Sequence, residues 1–236
     1  YGDHRDLHLS IRRQRQMCIR DRNLVAGSTG LLGNDILQEL GLKDRPTIAL
    51  GRRSVMNLPN CAKELILDFE NIPSWDLNGV DHVYLSLGYP LYYQNVMGFM
   101  SANLKKDFFL VDFTYQLEIA KRAREAGAQS VSLISSVGSN PNSKNFYLQT
   151  KGKLEAEIVN LGFKSTNIFH PGHLRGNKSR LDIVIADAIS VLSDPFLIGS
   201  LKKFRSISSK KVARCVVDNS LGPKAGTNHF YFSDFK

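Results

Sequence analysis

Tyr147 and Lys151 have the types and spacing that most directly indicate chemistry. They lie four positions apart, so a helix places both side chains on one face. A phenol, with an ordinary pKa of about 10, is a poor acid–base group at neutral pH until a nearby ammonium favours the phenolate. Ser135 and Ser136 precede Tyr147 by twelve and eleven residues. Either hydroxyl can hold a carbonyl oxygen against the phenol, and the sequence leaves the choice open.

A glycine-rich turn precedes this group in the chain. Gly27, Gly30 and Gly33 are spaced three apart and follow the aliphatic run Leu24–Ala26. Backbone N–H groups at a helix N-terminus can hold a pyrophosphate when no Cβ keeps it away. Gly27 is expected to make the turn, Gly30 to admit the phosphate and Gly33 to let the helix pack closely. The predicted phosphate contacts are Gly27, Ser28, Thr29, Gly30, Leu31, Leu32 and Gly33. The alternative is an ordinary glycine-rich turn of an α/β protein.

Two arginines indicate which dinucleotide is bound. Arg52 and Arg53 follow the predicted strand Thr47–Leu50, where folds that prefer NAD carry an acidic residue for the ribose hydroxyls. A guanidinium binds a 2′-phosphate and stacks on adenine. The pair therefore predicts NADP, with NAD as the alternative cofactor. A solvated strand end with two incidental arginines is the other interpretation.

Further cofactor contacts are expected at two more strand ends. Asp68 is predicted to accept a hydrogen bond from the adenine amine, with Phe69 beside it. Leu87 and Gly88 are predicted to lie where the backbone passes close to the cofactor. The segment Tyr89–Met100, rich in aromatic residues and methionine, either lines a substrate pocket or packs in the core.

The elements that position these residues alternate between strand and helix from Asn23 onward. A helix that begins in the glycine turn is expected to end at Gly41, and a long amphipathic helix is predicted over Phe108–Ala126. The order predicts an α/β fold with a doubly wound parallel sheet. Besides the strand before Gly27, the predicted strands are Thr47–Leu50, Glu64–Leu67, His82–Leu87, Ser130–Ile134 and Thr166–Phe169.

Composition sets the remaining limits. A chain of 236 residues with 42% hydrophobic content can bury the core of one domain. No apolar run reaches the roughly 18–20 residues that span a bilayer, which predicts a soluble protein. Cys18, Cys61 and Cys215 fit no metal or redox spacing. Reduced thiols favour a cytoplasmic location.

Residues 1–22 differ from the rest of the chain. They carry six arginines and three aspartates, which is +3 of the formal charge of +9. The segment resembles translated sequencing-adapter readthrough and is expected to be a disordered, non-native extension; a basic arm for nucleic acid is the alternative. Residues 23–236 are expected to form one NAD(P)-binding domain, with a small cap over about residues 173–210. Their remaining charge of +6 suits a phosphate-binding enzyme without a nucleic-acid partner.

Together these motifs resemble the short-chain dehydrogenase/reductase superfamily. The similarity is greatest to its atypical branch that contains the Tat-interacting-protein oxidoreductase and bacterial relatives. The matching motifs are the glycine turn, Gly51-Arg52-Arg53, Leu87-Gly88, Ser135-Ser136-x-Gly138, Tyr147-x-x-x-Lys151-Gly152-x-x-Glu155 and Pro171-Gly172. The resemblance implies an NADP-binding Rossmann fold with a serine, tyrosine and lysine triad, in which Lys151 also binds ribose hydroxyls.

The chain departs from that branch near the reacting groups. His170 stands before Pro171-Gly172 where the branch usually has arginine, and Tyr-Pro follows Gly88 in place of two threonines. These departures leave the substrate class open. His170, Pro171 and Leu174 remain expected cofactor contacts. His173 lies three residues after His170, but no carboxylate or cysteine nearby supports a metal site.

The C-terminal region is expected to form the cap. Its predicted elements are a helix over Asp182–Leu192, an irregular or helical segment over Pro195–Leu201, a helix over Ser208–Val217 and a short strand over His229–Phe232. Basic residues of this region either steer an anionic ligand or form a solvated face: Lys202, Lys203, Arg205, Lys210, Lys211 and Arg214. The shortness of the region favours a small or apolar substrate.

The leading functional hypothesis is an NADP-dependent oxidoreductase that moves a hydride between nicotinamide and a carbonyl or alcohol. The alternatives are a regulatory or sensor protein that binds NADP(H) with little catalysis, and a nucleotide-sugar epimerase or dehydratase. The expected partners are a small-molecule substrate and a second copy in a homodimer, with neither nucleic acid nor membrane.

Overall fold

The computed structural model describes residues 22–176 and 194–235. The N-terminal segment 1–21 and the helix predicted over Asp182–Leu192 lie outside the described residues. Among the described residues, no helix is both long enough and apolar enough to cross a bilayer.

A seven-stranded parallel sheet forms the centre of the fold, in the order β3-β2-β1-β4-β5-β6-β9. The first six strands follow the order of a dinucleotide-binding sheet. The predicted α/β doubly wound parallel fold is therefore confirmed. The strands are β1 Arg22–Ala26, β2 Thr47–Gly51, β3 Ala62–Ile66, β4 Val80–Leu85, β5 Ser130–Ile134, β6 Ser165–Phe169 and β9 Gly226–Phe230.

Helices cover both faces of the sheet. On one face, α1 (Leu31–Leu42) packs against α4 (Ser209–Leu221). On the other face, the long helix α2 (residues 102–125) packs against α3 (Phe146–Asn160). Alternate residues of β1 point to opposite cores, with Leu24 under α2 and α3 and Val25 under α1 and α4. Adjacent residues of β1 therefore pack on opposite faces of the sheet, and both faces are buried.

The long helix α2 changes its hydrogen-bond pattern in the middle. It is α-helical over Ala102–Phe109, π-helical over Leu110–Tyr115 and α-helical again over Gln116–Glu125. The predicted start at Phe108 is wrong by six residues. The true start is capped by Ser101, whose hydroxyl accepts a hydrogen bond from the Leu104 N–H at 3.3 Å.

Several other predicted boundaries are corrected. α1 does not end at Gly41 but continues to Leu42, because the chain reverses at Asp44, which adopts a left-handed φ of 51°. The last strand is Gly226–Phe230 and not His229–Phe232. The C-terminal region contributes two short strands that pair in parallel, β7 Leu174–Arg175 and β8 Ile207–Ser208. It also contains 3₁₀ turns over Asp194–Phe196 and Gly199–Phe204.

Candidate active site

The glycine turn between β1 and α1 has the geometry of a phosphate cradle. Gly27 has a φ of 89°, and a Cβ there would lie 2.7 Å from the Ser86 carbonyl oxygen. A Cβ on Gly33 would lie 2.1 Å from the Gly27 oxygen, so α1 packs directly on the turn. α1 begins after Gly30 with no side-chain cap, which leaves its first N–H groups for another acceptor. These features fit a dinucleotide pyrophosphate.

The side chains of the turn differ in their availability. Ser28 is fully buried and its hydroxyl donates to the Leu50 carbonyl at 3.2 Å, so this hydroxyl holds β2 in place. Thr29 is exposed beside Gly30. The phosphate contact predicted for Ser28 would therefore be made by its backbone N–H.

The arginine pair lies at the end of β2, and both residues are exposed. Burial and the carboxylates of Glu70 and Asp68 raise the pKa of Tyr115, whereas the charge of Arg52 acts in the opposite direction. Arg52 and the two carboxylates that follow β3 are therefore each within electrostatic reach of Tyr115. This is the place where the sequence predicts the 2′-phosphate and adenine to bind.

Phe69 does not face this region. Its side chain is 4% exposed and packs edge-on against Trp75 and Tyr115, with ring centroids 5.3 and 5.5 Å apart. The side chain of Phe69 therefore belongs to the core, and the predicted place of Phe69 beside the adenine stays a prediction for its backbone. Asp68 caps the 3₁₀ turn Phe69–Ser74 by accepting a hydrogen bond from the Glu70 N–H at 3.1 Å.

A crevice of about 330 Å³ connects the cradle with the predicted catalytic residues. Tyr147 and Lys151 line this crevice together with several of the predicted cofactor contacts. These contacts are Gly30, Leu31, Leu32, Leu87, Gly88 and Leu174. The lining residues are Gly30, Leu31, Leu32, Ser86, Leu87, Gly88, Tyr89, Leu91, Val96, Phe108, Asp112, Ile134, Ser135, Tyr147, Lys151 and Leu174.

Lys151 and Asp112 form a buried ion pair in this crevice. Lys151 Nζ lies 2.7 Å from Asp112 Oδ1, and the two side chains are 6% and 3% exposed. Burial disfavours the ammonium, but the charge of Asp112 and, next, that of Tyr147 outweigh it and raise the pKa of Lys151. Burial also raises the pKa of Asp112, and the Lys151 ammonium opposes this rise. Lys151 therefore stays a cation one helical turn from Tyr147.

Asp112 is the site residue that sequence reasoning missed. It lies in the π-helical part of α2, and its Oδ2 accepts a hydrogen bond from the Tyr89 N–H at 2.7 Å. The carboxylate thus ties the chain after β4 to Lys151 on α3. Short π-helical segments occur frequently at functional sites. The unexpected carboxylate on the apolar side of an amphipathic helix was the available signal.

The two serines have different surroundings. Ser135 is buried, lines the crevice and donates its hydroxyl hydrogen bond to Glu155 Oε1. Ser136 is half-buried, and its hydroxyl lies 3.4 Å from the Val137 carbonyl oxygen. Ser135 is nearer to the reacting groups, but its proton already has an acceptor. The choice between the serines stays open.

His170 and Pro171 do not line the crevice. His170 is 4% exposed, and its ring is stacked on Tyr231 with centroids 4.6 Å apart. Its Nε2 lies 3.0 Å from His229 Nδ1, and its Nδ1 lies 3.6 Å from Glu155 Oε1. Pro171 is buried. The predicted cofactor contacts at these two residues therefore find no support in the geometry, because His170 is turned toward β9.

Among the residues that the structure describes, no group of three or more His, Cys, Asp or Glu side chains could hold a metal ion.

Comparison with known proteins places the chain in a family. No protein-family model matches it. FMP52-2 of Scheffersomyces stipitis is 34% identical over 180 residues, which cover 72% of this chain and 73% of that protein. FMP52 of Lodderomyces elongisporus is 33% identical over 161 residues, which cover 66% and 68%. The chain belongs to the FMP52 family.

Membership of the FMP52 family corrects one expectation. Both relatives are named as mitochondrial proteins, so the cytoplasmic location expected from the cysteines is wrong. Thiol content reports the redox environment, which does not by itself distinguish these compartments. The matches with FMP52 of Debaryomyces hansenii and of Coccidioides immitis span 33% and 46% of those proteins.

Solved structures of other proteins resemble the fold of this chain. UDP-glucose 4-epimerase of Thermotoga maritima superposes with a TM-score of 0.67 at 13% identity, covering 89% of this chain and 76% of that one. A 3-oxoacyl-[acyl-carrier protein] reductase of Brucella melitensis in complex with NAD gives 0.66 at 16% identity, covering 89% and 95%. At this identity the likeness shows the Rossmann-type fold alone.

Proposed function

We propose that this FMP52-family chain is an NADP-dependent oxidoreductase of the short-chain dehydrogenase/reductase type, acting on an apolar carbonyl or alcohol. The observation that carries the proposal is the meeting of Tyr147 and the buried cation Lys151 in the crevice that the glycine turn opens. The similar folds of a carrier-protein reductase and an epimerase, whose structures contain NAD and UDP-glucose respectively, support it at the level of enzyme class. The resemblance of the glycine-turn and Tyr147-x-x-x-Lys151 motifs to those of short-chain dehydrogenases/reductases supports it further.

The residues of the crevice and of the β2 end each have a role in cofactor binding or in proton transfer. The first turn of α1 binds the pyrophosphate, and Arg52 and Arg53 bind the 2′-phosphate. When bound, reduced nicotinamide supplies a hydride to the carbonyl carbon. Tyr147 gives a proton to the carbonyl oxygen, and Lys151 stabilises the phenolate that remains. The Lys151 ammonium has three N–H groups, of which one faces Asp112 and the others remain for ribose hydroxyls.

The crevice favours a neutral substrate. Its charged residues in the described part of the chain are Asp112 and Lys151, and these neutralise each other. Leu91, Val96 and Phe108 form an apolar wall near Tyr147. An anionic substrate group would lose its hydration here without gaining a free cation. We therefore propose an apolar aldehyde or ketone, and from the names of the relatives, a mitochondrial location.

The test is cofactor oxidation with matched aldehydes. Hexanal and 6-oxohexanoate share a reacting group and differ by a terminal carboxylate. We expect kcat/KM with NADPH to be higher for hexanal by about tenfold or more. A preference for the carboxylate would contradict the substrate class. Tight NADPH binding without turnover across a wider set of carbonyls would contradict the oxidoreductase function and favour a nucleotide-binding regulatory protein.

The arginine pair makes a separate prediction. Replacing Arg52 and Arg53 with alanine is expected to weaken NADPH binding by about tenfold to a hundredfold, because charge-assisted hydrogen bonds to the 2′-phosphate are lost. NADH binding should change little. The measurement is fluorescence titration of both cofactors, with Lys63→Ala as an exposed control on the neighbouring strand. Equal losses for the two cofactors would show that these arginines do not read the 2′-phosphate.

A further inference from the structure

A row of polar groups leads from the back of the crevice to the edge of the sheet. Ser135 donates a hydrogen bond to Glu155 Oε1, which lies 3.6 Å from His170 Nδ1. His170 Nε2 in turn lies 3.0 Å from His229 Nδ1. His229 is exposed on β9, the edge strand. The row therefore joins a group that lines the crevice to solvent at another part of the surface.

Four elements hold these groups in place. Ser135 follows β5, Glu155 lies on α3 one turn after Lys151, His170 follows β6 and His229 lies on β9. The backbone adds precision, because the Ser135 N–H donates to the Phe169 carbonyl at 2.9 Å and the His170 N–H donates to the Phe230 carbonyl at 2.8 Å.

The surroundings of His170 suit proton transfer. Tyr231 stacks on its ring at an interplanar angle of 9°, and Nδ1 also lies 3.3 Å from Ser139 Oγ and 3.4 Å from the Ser136 carbonyl oxygen. Burial lowers the pKa of His170, Glu155 opposes this effect, and His229 adds to it. A neutral imidazole carries a donor on one ring nitrogen and an acceptor on the other, so it can take a proton on one side and release one on the other.

A second polar direction leads from Lys151 through Asp112 and ends at the backbone. Lys151 is paired with Asp112, whose second oxygen accepts from the Tyr89 backbone N–H. A backbone amide does not release its proton near neutral pH. Bound cofactor and substrate would fill the mouth of the crevice and exclude water there.

We propose that His229, His170 and Glu155 relay protons between solvent and Ser135. The proposal rests on the oxidoreductase function proposed above. Each carbonyl reduced takes a hydride at carbon and one proton at oxygen. Tyr147 gives that proton and recovers one from the Ser135 hydroxyl, which lines the same crevice. Glu155 takes a proton from His170 and passes it to the Ser135 oxygen, and His170 recovers a proton through His229 from water. Alcohol oxidation reverses each transfer and releases one proton.

The test compares variants of the exposed end of the relay. His229→Ala is expected to lower kcat on the order of tenfold, and imidazole added to the buffer should restore it by occupying the space left by the ring. His229→Gln should lower kcat equally but respond less to imidazole, because the glutamine side chain fills the space that the ring occupied. Thr227→Ala, exposed on the same strand, should match the parent protein with or without imidazole. If His229→Ala turns over like Thr227→Ala and ignores imidazole, the relay is overturned.

A second measurement is independent of turnover and of cofactor. Imidazole ¹⁵N chemical shifts of the cofactor-free protein follow the titration of His170. Glu155→Gln should lower the pKa of His170, because it removes the negative charge that opposes the effect of burial. His229→Gln should move the same transition in the opposite direction. If neither variant moves the His170 transition, the relay is overturned. If both move it but no carbonyl is reduced even by the parent protein, the oxidoreductase function fails and the proton connection stands.

Discussion

Replacing Tyr147 with phenylalanine is expected to lower kcat by about 10²- to 10⁴-fold, the range for loss of a positioned acid–base group. The ring remains packed near Phe108, whose centroid lies 5.5 Å away, so folding should be retained. NADPH affinity should change much less than kcat, because Lys151 and the glycine turn are untouched. The measurements are steady-state kinetics with NADPH and hexanal, and fluorescence titration of NADPH.

The matched control is Tyr92→Phe. Tyr92 is 59% exposed and does not line the crevice, so losing its hydroxyl should leave kcat unchanged. If Tyr147→Phe turned over as fast as Tyr92→Phe, the proton would come from another group. The mechanism proposed here would then be wrong.

Replacing Asp112 with alanine is expected to destabilise the protein by about 3 to 5 kcal/mol, the cost of breaking a buried ion pair. The substitution leaves the Lys151 ammonium buried without its carboxylate partner and frees the Tyr89 N–H. Lys151 would then lose either its charge or its position, and NADPH binding should weaken as well. Denaturant unfolding with linear extrapolation measures the free energy of unfolding.

Two further variants separate the pair from general effects on the helix. Asp107→Ala removes an exposed carboxylate from the same helix and should change stability by no more than about 0.5 kcal/mol. The double variant Asp112→Leu with Lys151→Met replaces both charges by apolar groups and should recover most of the lost stability while remaining inactive. An Asp112→Ala variant as stable as Asp107→Ala would show that the pair contributes nothing.

Much of the fold follows from local patterns in the sequence. β5 occupies the predicted Ser130–Ile134, where serines alternate with aliphatic residues between turn residues, and this alternation is the period of a strand. Gly27 makes the predicted turn: its φ is 89°, and a Cβ there would collide with the backbone of Ser86. The meeting of Tyr147 and Lys151 in one crevice also follows from helix periodicity and the order of the strands.

The parts that were missed depend on contacts between distant segments. Asp112 stands out in the sequence only as a carboxylate on the apolar side of an amphipathic helix, and its burial depends on Lys151, 39 positions later, and on the π-helical turn. Phe69 follows a strand end where the sequence predicts adenine, but its ring packs in the core against Trp75 and Tyr115. No local pattern in the sequence reports such pairings.

The contact between His170 and His229 has the same origin. The pairing of β6 with β9 brings together two residues that lie 59 positions apart. The sequence marks His170 as a departure from the arginine of similar proteins and as an expected cofactor contact. Its partners Glu155 and His229 become visible once the strand order is known.

The central claim is that the crevice between the glycine turn and Tyr147 holds a nicotinamide dinucleotide. An experimental structure of the complex with NADP⁺ measures this directly. The account predicts the pyrophosphate on the first N–H groups of α1, a ribose on Lys151 and the nicotinamide ring against Tyr147. A dinucleotide bound elsewhere on the surface, or one whose nicotinamide points away from Tyr147, would contradict it.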